Sequence, residues 1–61
     1  MTKLSTIANM LGGDMDLAML LGNAGLNTPR KIRKASDGQL LAIRNVGADR
    51  LQKIREKMGR L

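Results

Sequence analysis

Apolar residues recur along this chain at helical spacing, with no run of strict alternation. Leu4, Ile7, Ala8 and Leu11 share one face of a helix over roughly residues 3–11, and Gly12-Gly13 stops it. Asp14 is placed to cap a second helix running to about Ala24, with Leu17, Leu20, Leu21 and Ala24 facing inward. Gly25 ends that helix. Thr28-Pro29 pairs an N-cap with a first-turn proline and opens a short helix containing "RKIRK". Ser36, with Gln39 three residues on, has capping-box spacing and begins a fourth helix carrying Leu40, Leu41 and Ile43. After Asn45-Val46-Gly47 the last helix spans about Ala48 to Met58, and Leu51, Ile54 and Met58 line one side of it.

These elements predict an all-α fold: a compact bundle of about five short helices, ending in a helix-hairpin-helix. At 61 residues the chain forms one domain with a small core. Phe, Tyr and Trp are absent, so that core is built from Leu, Ile, Val, Met and Ala. With neither cysteine nor histidine, disulfides and the common transition-metal sites are excluded. No cofactor is implied. Ser5 and Ser36 have no histidine to activate them, and no carboxylate pair sits in an apolar setting, so catalysis is not expected. Asp14 and Asp16 interrupt the apolar N-terminal stretch, which argues against a signal peptide. No stretch reaches the length of a membrane span, and a cytoplasmic location is expected.

Chemistry concentrates in "LLAIRNVGADRLQKI", residues 40–54. Two apolar segments flank a tight turn, at the spacing of a helix-hairpin-helix. Asn45 tolerates a left-handed conformation, and Gly47 supplies a positive φ or a close backbone approach. The amides of Gly47, Ala48, Asp49 and Arg50 would then point out of the last helix, with its positive dipole end behind them. Such an end binds a phosphate oxygen without reading a base. Arg44, Asn45, Val46, Gly47, Ala48, Arg50 and Lys53 form the candidate nucleic-acid contact.

Charge sharpens this picture. Net charge is +6. Residues 1–27 hold Lys3 against Asp14 and Asp16, whereas residues 28–61 hold ten Lys/Arg against Asp37, Asp49 and Glu56. A basic half on a nearly neutral half suits a polyanion. Arg30, Lys31, Arg33 and Lys34 crowd the start of a short helix, where cations oppose the dipole. Arg30, Lys31 and Lys34 are taken as a second contact with DNA.

Three phrases, "LLGNAGLNTPRKI", "SDGQLLAIRNVG" and "LQKIREKMGRL", follow in order and without gaps the pattern of a known family. Over residues 14–58 the chain resembles the C-terminal domain of the bacterial RNA polymerase alpha subunit, with residues 1–13 as an extra N-terminal helix. The resemblance implies a compact helical domain that binds the DNA minor groove and contacts transcription factors. It also marks departures. The family's arginine and asparagine near the start of the helix holding Leu17 align here with Asp16 and Met19. Its lysine and serine after the hairpin glycine align with Asp49 and Arg50, and Gly47 matches.

Two functions follow as expectations. One is a small, non-enzymatic, transcription-related module that grips DNA mainly by its backbone. The other is a protein-interaction adaptor, or mimic of the polymerase domain, that binds RNA polymerase or a transcription regulator through Met15 and Met19. In either case a monomer or weak homodimer is expected.

Overall fold

The computed structural model describes residues 3–60 and, among them, contains helices and turns but no strand. Five helices follow in order: α1 (Leu4–Met10), α2 (Met15–Asn23), α3 (Pro29–Lys34), α4 (Asp37–Leu41) and α5 (Ala48–Met58). The fold is the predicted all-α bundle, 24 × 20 × 20 Å across. None of these helices is long and apolar enough to cross a membrane.

Local signals in the sequence set the boundaries. The Asp14 side chain accepts a hydrogen bond from Leu17 N at 3.0 Å, Thr28 from Lys31 N at 3.2 Å, and Ser36 from Gln39 N at 3.1 Å. Each satisfies an amide that has no partner inside its own helix. Only half of the Ser36 capping box forms, because the Gln39 side chain makes no return bond among the described residues. At the other end of α2, Leu26 N donates to Leu21 O at 2.9 Å and Gly25 N to Gly22 O at 3.0 Å. Gly25 takes the left-handed φ of +86° that this paired closure needs, and Leu26 folds back into the core.

The core is continuous. Ile7, Leu11, Leu17, Leu21, Ile32, Leu40 and Ile54 are completely buried and draw on all five helices and the α1–α2 turn. α1 is therefore an integral wall and not an appendage. It packs chiefly on α2, and Leu4 Cδ1 would lie 3.3 Å from a Cβ placed at Gly22. Several inward assignments change. Leu4 (37% exposed), Ala24 and Leu41 (46%) face outward, and Leu20, Ile43 and Leu51 are half-buried. α4 has only five residues, too few for a second apolar position to reach the core beside Leu40. In their place Ala18, Leu26, Ala35 and Val46 complete the interior.

Two contacts between residues distant in sequence hold α5. Lys53 Nζ bonds Asp14 Oδ2 at 3.0 Å, tying the middle of α5 to the cap of α2. Arg55, only 15% exposed at its side chain, donates to Ala35 O at 2.6 Å and to Asp37 Oδ1 at 2.8 Å. It thereby meets a carbonyl left open where α3 ends.

Candidate nucleic-acid interface

Residues 42–47 join α4 to α5. Ile43 N donates back to Leu40 O at 3.1 Å and Val46 N to Ile43 O at 3.0 Å, which turns the chain sharply. The left-handed residue in this turn is Asn45, with φ 69°. Val46 is buried and anchors the turn to the core.

Gly47 differs from expectation. Its φ is −104° and ψ −168°, an extended conformation open to any residue, and a Cβ there would meet nothing within 4 Å. Neither a positive φ nor a close approach by the chain itself calls for glycine. Asn45 absorbs the reversal, so Gly47 serves only as the cap residue of α5.

That cap carries no side-chain acceptor. Gly47 O receives Leu51 N at 2.9 Å, whereas no acceptor among the described residues meets the amides of Ala48, Asp49 or Arg50. Gly47, Ala48 and Asp49 are all exposed. The first turn of α5 thus presents open donors at the positive end of an eleven-residue helix, while α2, α3 and α4 each close theirs with their own side chain.

The cations around this end are unequally free. Arg44 is exposed and has no ion pair among the described residues. Arg50 is half-buried, and its Nη1 donates to Asn45 O at 3.1 Å, clamping the turn. Lys53 is held by Asp14. The Asp14 carboxyl is drawn below the ordinary aspartate value of 3.8, first by the hydrogen bond from Leu17 and then by Lys53. Asp14, Asp16 and Asp49 stand against Arg44, Arg50 and Lys53, so formal charge in this region balances.

Asp16, Met19, Leu20, Asn23, Asn45 and Arg50 line an open cleft between α2 and the turn. Asp16 and Met19 therefore share this cleft with Arg50. A neighbouring cleft of apolar character runs from Leu20, Asn23 and Ala24 to Ile43 and Arg44. Met15 and Met19 remain exposed, at 42% and 49%.

The second basic cluster lies elsewhere. Arg30, Lys31 and Lys34 are exposed on α3, and Lys31 Nζ donates to Asn27 Oδ1 at 3.3 Å. Opposition to the helix dipole is not realised as expected. α3 has only six residues, which puts Lys31, Arg33 and Lys34 in its last turn, where cations are favourable. Lys34 belongs with Arg33, Arg55 and Arg60 in a cleft of about 260 Å³ that includes none of the residues near the α4–α5 turn. The role of Asp37 and Arg55 in assembling this cleft has no local signal in the sequence, because the contact spans 18 residues.

Comparison with protein-family models, curated proteins and solved structures found no match.

Proposed function

We propose that this protein is a small non-enzymatic DNA-binding module that takes hold of backbone phosphates at the α4–α5 turn, in the manner of a helix-hairpin-helix. The observation that carries the reading is the uncapped first turn of α5. Its open amides at Ala48, Asp49 and Arg50 follow exposed Arg44 in the chain; α2, α3 and α4 close theirs with a side chain, and α1, with Lys3 at its cap, is the other helix that does not. Such contacts position a duplex without reading its sequence. The resemblance to the polymerase alpha C-terminal domain supports a role in transcription. Asp16 and Met19 at the family's contact positions favour backbone grip over minor-groove readout.

A second reading rests on a separate observation: Met15 and Met19 leave an exposed, polarizable surface on α2 next to the apolar cleft at Ile43. In that reading the module is an adaptor docking on RNA polymerase or a transcription regulator. Titration of random-sequence duplex at two salt concentrations separates the two. The DNA reading requires association at about 50 mM salt and micromolar protein that weakens steeply at higher salt. Absence of association at low salt leaves the adaptor.

A further inference from the structure

Among the described residues, a second concentration of positive charge lies away from the α4–α5 turn. Arg33 and Lys34 at the end of α3, Arg55 on α5 and Arg60 beyond it line one cleft together with a single carboxylate, Asp37, and with Ala35 and Ser36. Asp37 already accepts from Arg55 at 2.8 and 3.0 Å and from Arg60 at 2.8 and 3.0 Å. Arg33 and Lys34 have no ion-pair partner among the described residues. Arg33 Nε is moreover buried without any acceptor. Among the described residues, four cations against one anion give this cleft a formal charge of +3, and one of its lining guanidinium groups, Arg33, carries an unmet donor.

We infer that this α3–α5 cleft is a second phosphate-binding site, which takes the backbone of a nucleic-acid segment other than the one held at the α4–α5 turn. The inference rests on the nucleic-acid reading above. Guanidinium forks match two oxygens of a phosphodiester, and Lys34 adds a point charge at the exposed rim. Arg55 is largely spent on Ala35 O and Asp37, so it frames the site; Arg33 and Lys34 supply the contacts, and Arg60, 61% exposed, holds Asp37 through Nη2 alone and adds its other guanidinium N–H groups. The directions of the two sites dictate a second segment. Arg50 and Arg55 are five residues apart on α5 and therefore project about 140° apart around it. A straight duplex lying against one site does not reach the other, and one protein molecule links two duplexes.

The test uses the full chain and a random-sequence duplex at low salt, read in two ways. Amide and arginine Nε resonances are followed during titration. Capture of a labelled free duplex by a bead-bound duplex is measured in parallel. Shifts at residues 33–37 and 55–60 as well as at 47–50 are expected, together with protein-dependent capture. The exposed double variant Lys34→Gln/Arg60→Gln, checked for an unchanged melting profile, should lose capture at least five-fold and keep the shifts at 47–50. Arg33→Gln should lose capture likewise. Shifts confined to 47–50, with no capture, overturn the second site and leave the proposed function standing. Shifts confined to the cleft overturn the proposed grip at the α4–α5 turn and sustain a phosphate site here. If polyglutamate shifts the cleft as strongly as duplex does, the site takes protein carboxylates and the inference fails. Silence in both regions removes both claims.

Discussion

Lys53 on α5 reaches Asp14, the cap of α2, at 3.0 Å. One carboxylate thus closes the Leu17 amide with Oδ1 and anchors a distant helix with Oδ2. Asp14→Ala removes both, and loss of the cap alone costs about 0.5–2 kcal/mol. Asp14→Asn keeps a capping oxygen and loses the ion pair, so it should fall between parent and Ala in chemical denaturation. The Lys53→Met variant, which removes only the pair, should be milder than Asp14→Ala.

The same carboxylate makes stability depend on acid. Asp14 and Asp37 are both drawn below 3.8, Asp14 chiefly by the Leu17 amide and Asp37 chiefly by Arg55. A lowered folded-state value stabilises the protein above the unfolded value, and that stabilisation is lost as pH falls through the folded value. Melting temperature should therefore hold from neutral pH to about pH 4 and drop below it. Asp14→Asn should show a shallower drop between pH 4 and pH 2 than the parent. An equal drop in both would remove Asp14 from the acid response.

Burial separates three leucine and isoleucine positions that the sequence pattern treats alike. Ile54 is completely buried, Leu51 half-buried, and Leu41 46% exposed. Ile54→Ala should cost about 2–5 kcal/mol, enough to unfold a marginal domain. Leu51→Ala should cost less, and Leu41→Ala should leave the denaturation midpoint nearly unchanged. A large loss at Leu41 would mean that its face is covered in solution, as an adaptor or dimer surface would be.

Arg55 differs in kind from the cations around it. Its bonds to Ala35 O and Asp37 are internal, and Arg55→Gln should destabilise by about 1–3 kcal/mol, the range for losing charge-assisted hydrogen bonds. Arg30→Gln and Arg44→Gln, both exposed, should leave thermal stability within about 0.5 kcal/mol. If duplex binding involves three to five phosphates, the log–log salt slope lies near −3 to −4.5, and Arg44→Gln should flatten it by about one unit.

Helix starts, stops and the α5 boundary were legible because each rests on a local rule: Asp14, Thr28-Pro29 and Ser36 as caps, Gly25 as a left-handed stop, Asn45 at the reversal. Inward faces were legible only in part. Leu4 and Leu41 keep helical spacing, yet α1 and α4 are too short to bury a whole stripe, and Ala24 falls at the C-cap of α2, where the helix has already ended. Gly47 misled because a glycine in a turn suggests a positive φ, whereas the adjacent Asn45 had already supplied it. The grouping of Arg33, Lys34, Arg55 and Arg60 around Asp37 was out of reach, since tertiary packing alone brings α3 against α5.

The uncapped α5 end is the central claim, and Gly47→Asp tests it most directly. Position 47 has room for a side chain and an ordinary extended φ. An aspartate there would accept the Arg50 or Asp49 amide and complement the dipole, gaining a few tenths of a kcal/mol in stability. It would also occupy the donors meant for phosphate and place a negative charge at the contact. Side-by-side melting and duplex titration at about 50 mM salt should therefore give a melting temperature equal to or above the parent's, with affinity reduced at least ten-fold. Unchanged duplex affinity in a well-folded Gly47→Asp protein would contradict phosphate binding at the α4–α5 turn.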